Sequence, residues 1–241
     1  IIVEGGKYKM NSNKLKSAKK ISVVIRCKNE ERWIGHTIQS ILDAIKKPEI
    51  VIIDDNSQDN TINIVKYFIQ DSTLIDNEDG NFTDIKIFNI TDYSPGKSLN
   101  LGVKNATYNN ILMISAHCVL KNINMEKHLK DLNKFVCIFG NQNPIWNGKK
   151  IKKRYLWSHF VDNEVENMYS DFENRFFLHN AISIYKKDLL LKYPFDEYLQ
   201  SKEDRYWCNQ VINLGNKVLY DPQLEVDHHY TEHGNTWKGI G

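Results

Sequence analysis

The chain has 241 residues, enough to bury a full core as one domain or as a domain with a small lobe. Thirty-two basic residues against thirty acidic leave a formal charge of +2, which gives no footing for a nucleic-acid partner. No apolar run approaches the roughly 18–20 residues that a membrane-crossing helix needs, and Ile1-Ile2-Val3-Glu4 lacks the basic start and long apolar stretch of a secretory leader. Cys27, Cys118, Cys137 and Cys208 form no CxxC pair and read as reduced thiols of a cytoplasmic protein. A start at Ile1 without Met raises the expectation of a piece of a longer, multidomain chain.

Residues 1–20 carry six lysines and one glutamate. They read as a flexible basic arm, either solvated or drawn to an anionic membrane face. Ile21–Ile25 is a β-branched run suited to a strand buried on both faces, and it ends at Arg26-Cys27-Lys28-Asn29. Glu30 and Glu31 are expected to open a helix, where carboxylates are favoured. Trp33, Ile34, Ile38, Ile41, Leu42 and Ile45 give that helix one apolar face, and Pro48 closes it. Ile50–Ile53 is a second buried strand that stops on Asp54-Asp55-Asn56-Ser57-Gln58-Asp59. The result is a βαβ unit with its polar residues at the carboxyl ends of parallel strands, where open α/β sheets bind ligands. Asp54 and Asp55 could equally cap the next helix, marked by Ile62, Val65, Phe68 and Ile69.

Residues 71–84 read as a loop, and Ile85–Phe88 as a third strand. Pro95-Gly96 makes a turn before a helix whose first turn holds Lys97, a cation where the helix dipole prefers an anion. Ile111–Ile114 is a fourth apolar strand, ending on Ser115-Ala116-His117-Cys118. Phe135–Phe139 is expected to be a strand broken by residues 140–144. Residues 149–154 hold five cations in six positions, followed by Tyr155, Trp157 and Phe160, a pattern open to a solvated or a polyanion-binding reading. Residues 164–173 read as an acidic loop, residues 176–185 as one strand and residues 187–193 as a helix. Glu203 and Asp204 precede or fill the first turn of a helix over residues 205–214, ended by Gly215. Two short strands, residues 217–220 and 224–226, lead to His228, His229 and His233.

The strand-end wording resembles the start of the family-two inverting glycosyltransferases of GT-A fold. The resemblance covers Ile-Ser-Val-Val-Ile-Arg-Cys-Lys-Asn-Glu-Glu, Val-Ile-Ile-Asp-Asp-Asn-Ser, Gly96-Lys97-Ser98-Leu99-Asn100 and the later Phe195-Asp196-Glu197 followed by Glu203-Asp204. It implies an α/β fold: a Rossmann-like, mostly parallel sheet flanked by helices, with a smaller mixed region on the acceptor side. Residues 21–120 would be the nucleotide-sugar half and residues 121–241 the acceptor and catalytic half of the same domain. By position, Arg26, Asn29, Glu30, Asp55, Lys97, Ser115 and His117 fall on the donor site, and Asp204, with Glu203, on the catalytic base. Ser115 and His117 stand where the family usually has the two acidic residues of Asp-x-Asp. This is similar to a branch with Ser-Ala-His-Cys there, and it weakens the case for oxygen-loving Mg²⁺. His117 and His228 are the metal-ligand candidates, with Mn²⁺, Mg²⁺ or Zn²⁺ implied, or no metal at all.

The implied reaction moves a sugar from a nucleotide-sugar donor to a glycan or lipid-linked glycan hydroxyl in bacterial surface polysaccharide (capsule) synthesis, in the cytoplasm or at the inner membrane face. The rival reading is a non-catalytic nucleotide-sugar-binding or scaffold domain. A dinucleotide-binding dehydrogenase is excluded, because Gly-x-Gly-x-x-Gly does not follow the first strand.

Overall fold

The computed structural model describes residues 20–74, 84–232, 234 and 237. The basic arm up to residue 19, most of the loop expected before the third strand, and His233 lie outside these described residues. In chain order the elements are β1 (Ser22–Cys27), α1 (Ile34–Ala44), β2 (Glu49–Asp54), α2 (Thr61–Leu74), β3 (Asp84–Asn89), α3 (Pro95–Asn105), β4 (Asn110–Ile114), β5 (Cys118–Asn122), α4 (Met125–Asp131), β6 (Cys137–Trp146), β7 (Lys149–Lys150), β8 (Val165–Glu166), β9 (Tyr169–Ser170), β10 (Arg175–Phe176), β11 (Ile182–Lys186), α5 (Lys187–Lys192), α6 (Glu203–Asn213) and β12 (Val218–His229).

One sheet, in the order β3-β2-β1-β4-β11-β6-β12-β5, runs through the whole molecule. β3, β2, β1 and β4 are mutually parallel. β11 runs against both β4 and β6 and stitches the second half of the chain to the first. Two apolar layers cover the sheet's faces. Ile34, Ile38 and Ile41 of α1 pack on one with Val23, Ile25 and Ile52, while Leu99 and Val103 of α3 pack on the other with Val24 and Val51. The middles of the βαβ strands, Val23–Ile25 and Ile50–Ile53, are apolar because helices bury both sides of them.

Several boundaries differ from the sequence reading, each for a local reason. α1 begins at Ile34, because the main chain of residues 30 and 31 is tied to the next loop: Glu30 N donates to Thr61 Oγ1 (2.7 Å) and Glu31 N to Asp59 Oδ2 (3.0 Å). Trp33 accordingly leaves the helix's apolar face and stacks on His229, with ring centroids 3.9 Å apart. β6 does not break at Gly140 but continues to Trp146, because β12 lies parallel alongside it from residue 218 to residue 229. β12 is likewise one strand, with its extra residues bulged out between Asp221 and Glu225. Gly140 is where that bulge presses in: a Cβ there would lie 2.0 Å from the Leu224 carbonyl oxygen.

Residues 176–185 are not one strand. β10 ends at Phe176 and β11 begins at Ile182, so His179 and Asn180 cross the sheet top as coil. Residues 164–173 are not a featureless loop either: they contain β8 and β9, and Glu173 lies buried against Arg205. In the basic run, Lys153 turns inward to Asn141 Oδ1 (2.7 Å) and the Phe160 carbonyl (2.8 Å), while Trp157 and Phe160 are core residues. That segment offers no row of exposed rings on which bases could stack. All four cysteines are free and buried, as the spacing led one to expect.

Candidate active site

β1, β2 and β4 end side by side, so the residues that follow them share one rim of the sheet. A cavity of about 260 Å³ opens there. Its wall includes Arg26 near the end of β1, Lys28 and Glu30 after β1, Asp55 after β2, Ser115 and His117 after β4, and Glu203, Asp204 and Arg205 at the start of α6. Residues almost 180 positions apart in the chain thus meet within hydrogen-bonding reach: Arg26 Nη1 lies 2.9 Å from Glu203 Oε1.

The acidic pair is held in two different ways. α6 starts with Lys202 in the left-handed region (φ 63°), which drives Glu203 and Asp204 inward at the helix's positive end. Burial pushes the Glu203 carboxyl above its ordinary range, partly offset by Arg26 and reinforced by Asp204. Asp204 is fixed by main-chain donors instead: Asn180 N gives to Oδ2 (2.9 Å) and Arg205 N to Oδ1 (2.8 Å). Arg205 is almost fully buried, 3.0 Å from Glu173 and 5.2 Å above the Phe177 ring.

On the opposite wall Asp55 accepts from Lys28 Nζ at 2.8 Å. Its neighbour Asp54 turns away and closes the following turn, accepting from Ser57 N and Ser57 Oγ (2.6 Å). Neither acid caps α2, whose Thr61 N gives to Asp59 Oδ1 (2.9 Å) instead, and of the two it is Asp55 that lines the cavity. Asn29 adopts a left-handed conformation (φ 53°) and accepts from Gln58 N (2.7 Å), joining the two strand ends from outside the cavity wall. Lys97 also lies outside that wall, ion-paired with Asp92.

Behind the cavity floor stands a line of histidines. Glu30 Oε1 is 2.9 Å from His117 Nδ1, and His117 Nε2 is 3.2 Å from His228 Nε2. Gln142 Oε1 lies 2.9 Å from His228 Nδ1, and Gln142 Nε2 2.9 Å from His179 Nδ1. His117 and His179 line the cavity, while His228 sits one bond further in and is buried. Burial, followed by the neighbouring cations and rings, holds His179 and His228 well below the usual histidine range, so both are neutral at pH 7.

The donor chemistry fits a divalent ion of one kind only. Ser115 contributes no carboxylate, and among the described residues no three His, Cys, Asp or Glu side chains converge as a complete ligand set. Two imidazoles do lie 3.2 Å apart, a donor pair that would suit Zn²⁺ better than Mn²⁺ or Mg²⁺.

The sequence reading missed Lys28, Tyr93, His179, Asn180, Lys202 and Arg205, all of which line this cavity. A signal did exist for His179 and Asn180, two polar residues inside an otherwise apolar stretch.

A profile of one family, described as glycosyl transferase family 2, matches residues 22–193, more than two thirds of the chain. The chain belongs to glycosyl transferase family 2. Poly-beta-1,6-N-acetyl-D-glucosamine synthase of Staphylococcus epidermidis is 31% identical over 101 residues, covering 42% of this chain and 22% of that protein. The enzyme of the same name from Staphylococcus aureus strain COL is 31% identical over 102 residues, with the same coverage. The chain thus aligns with about a fifth of the length of those relatives.

Among solved structures, S. aureus TarS 1–349 in complex with UDP-GlcNAc superposes with a TM-score of 0.66 at 19% identity, covering 89% of this chain and 60% of that one. GalNAc-T7 with UDP, GalNAc and Mn²⁺ gives 0.65 at 16% identity, covering 89% and 44%. The mannosyltransferase PcManGT from Pyrobaculum calidifontis, with GDP-Man and Mn²⁺, gives 0.62 at 15% identity, covering 90% and 59%. At these identities they establish the fold, which is GT-A, with a sheet flanked by helices. This family 2 domain is a glycosyltransferase domain, and no helix among its described residues is long and apolar enough to cross a membrane.

Proposed function

We propose that this family 2 domain transfers a sugar from a nucleoside diphosphate sugar to a glycan hydroxyl in bacterial surface polysaccharide assembly, inverting the anomeric carbon, with Asp204 as the base. One observation carries the reading: Arg26, Asp55, His117 and Asp204, from four separate segments, line a single cavity at the strand ends. The names of the relatives point the same way, since they include a polysaccharide synthase and a protein crystallised with UDP-GlcNAc. UDP-sugars are therefore the first donors to assay. The Ser-Ala-His-Cys wording supports a branch of the family that does without the acidic metal pair.

A sugar hydroxyl attacks well only when a base takes its proton during the step, a gain of roughly 10²–10⁴-fold. Asp204 suits this role because its two main-chain donors fix the carboxylate's direction before substrate arrives. The departing nucleoside diphosphate gains negative charge as the glycosidic bond breaks, and cations already aimed at it stabilise that charge. Arg26, Lys28 and Lys202 stand in the cavity wall for this purpose. Asp55, paired with Lys28, is the proposed acceptor of hydrogen bonds from the nucleoside. A divalent ion held by His117 and His228 would add positive charge beside the diphosphate.

Asp204→Asn should leave donor affinity within about twofold of wild type and lower turnover by roughly 10²–10⁴-fold. NMR of the product should show the anomeric configuration opposite to the donor's. Near-wild-type turnover of the variant removes Asp204 from its role, and retained configuration refutes the single displacement.

A further inference from the structure

The basic run at residues 149–154 takes no part in the chemistry above, yet the fold gives it a definite place. Lys149 and Lys150 form β7 against the end of β6, and Lys153 is tied back to β6 through Asn141. Lys150, Lys152 and Lys153 line an open cleft of about 850 Å³ together with Phe160, Asp162 and Asn163. Lys149, Lys150, Lys152 and Arg154 are exposed. Among the described residues, none of the five cations lies within ion-pair distance of a carboxylate.

Lys153 shows what the cleft lacks. Its ammonium has three hydrogens, and two go to neutral oxygens: Asn141 Oδ1 at 2.7 Å and the Phe160 carbonyl at 2.8 Å. Burial and then Lys150 lower its pKa from the ordinary lysine value, while Asp162 and Glu225 pull the other way. A half-buried cation beside other cations is thus left short of negative charge in the wall of a cleft. An anionic group bound there would meet the third hydrogen and offset the repulsion among the lysines.

The cleft is a neighbour of the catalytic cavity. Lys153 Nζ is 6.0 Å from the centre of the Phe160 ring, and the Phe160 and Phe177 rings are 5.9 Å apart. Arg205, in the cavity wall, stands 5.2 Å above Phe177. Two packed rings therefore separate the sites, a distance that a chain of a few sugars bridges. A nucleic-acid strand would need a row of exposed rings, whereas Trp157 and Phe160 are buried. A flat bilayer does not enter a concave cleft.

We infer that this cleft is an anion subsite for the acceptor: Lys150, Lys152 and Lys153 hold a phosphate or carboxylate carried by the glycan whose hydroxyl is presented to Asp204. The inference rests on the transferase reading for the identity of that chain as the acceptor; the anion cleft itself rests on its own residues.

The test titrates the purified domain calorimetrically with three forms of one polymer: neutral dextran, carboxymethyl-dextran and phosphate-esterified dextran. Wild type should bind at least one charged form, more weakly as salt is raised, and neutral dextran about tenfold more weakly or not at all. The preferred charged form tells phosphate from carboxylate. Lys150→Gln/Lys152→Gln, both at exposed positions, should lose roughly 3–30-fold in that affinity. Lys130→Gln/Lys134→Gln removes the same charge elsewhere and should stay within about twofold of wild type. Lys153→Met should also weaken binding, with its fold checked by circular dichroism; should it not fold, the exposed pair decides.

Failure to bind either charged form, equal affinity for neutral dextran, undiminished binding by Lys150→Gln/Lys152→Gln, or an equal loss in Lys130→Gln/Lys134→Gln each overturns the proposal. So does tighter binding, dependent on Lys150 and Lys152, to phosphatidylglycerol vesicles or a single-stranded oligonucleotide, which would put that partner in place of the glycan. UDP binding by the same samples reads the donor site. Charged-dextran binding without UDP binding sinks the transferase reading and the acceptor assignment with it, and UDP binding without charged-dextran binding sinks the cleft alone.

Discussion

Glu203 is buried beside another carboxylate, and Arg26 is the group that makes its charge tolerable. Arg26→Met would strand that carboxyl without its cation. Because the guanidinium is partly exposed, the cost should be about 2 kcal/mol, below the ~3–5 kcal/mol of a fully buried pair. The sign of the pH effect follows from the raised folded-state value. Glu203 favours the folded state most below the ordinary carboxylate range, and that contribution is lost as pH rises through its folded value. The deficit of Arg26→Met should therefore be smallest near pH 4.5 and grow toward neutrality, as read by urea titrations across pH. Adding Glu203→Gln should recover most of the loss at pH 7; a double variant no more stable than Arg26→Met would place the loss elsewhere. At this scale the sequence was informative where a residue lies at or just past a strand end, as Arg26, Asp55 and His117 do. It was silent on which of two adjacent acids turns inward. Asp54 and Asp55 differ only in that Ser57 captures the first, a choice made by loop geometry.

Among the elements, β12 and its bulge hold the second half of the molecule together. Asp221 closes the bulge by accepting from Gln223 N (2.9 Å), Lys127 Nζ (2.6 Å) and His128 Nε2 (3.2 Å) of α4. Burial alone would push its carboxyl up, but the bonds from His128, Lys127 and Gln223 together hold it well below the usual range. Its contribution is thus present above the ordinary carboxylate pKa and is lost as pH falls toward the folded value. Asp221→Asn should cost roughly 2–4 kcal/mol at pH 7, with the gap to wild type narrowing in acid; thermal melts at pH 7 and pH 3 would show it. A gap that stays constant would mean the lost stability is not electrostatic.

Gly140 faces the same bulge, and Gly140→Ala forces a methyl onto the Leu224 carbonyl. A loss of about 3 kcal/mol or more is expected, because main chain and not a flexible side chain must yield. A melting temperature within a degree or two of wild type would show that the bulge gives way freely. Local periodicity could not reveal this element. Gly140 and Pro144 are ordinary strand breakers, and only the partner strand, more than 70 residues later, makes β6 continuous.

For the whole molecule, the parallel half of the sheet was legible because burial on both faces leaves a short apolar run, visible in Val23–Ile25, Ile50–Ile53 and Ile111–Ile114 alike. The second half was less so. Its strands pair with distant partners, and the crossing that delivers His179 and Asn180 to the cavity has no periodic signature. That crossing is nonetheless what joins the halves: Asn180 N fixes Asp204 from one side, while Arg26 reaches Glu203 from the other. The account therefore makes the cavity a single binding unit assembled from both ends of the chain. Calorimetric titration of wild type, Asp55→Ala and Asp204→Asn with UDP-sugars tests this most directly. The account predicts that wild type binds at least one UDP-sugar, that Asp55→Ala loses about tenfold or more in affinity (~1.4 kcal/mol), and that Asp204→Asn stays within about twofold. Binding of no nucleotide sugar by wild type, or undiminished binding by Asp55→Ala, would contradict it.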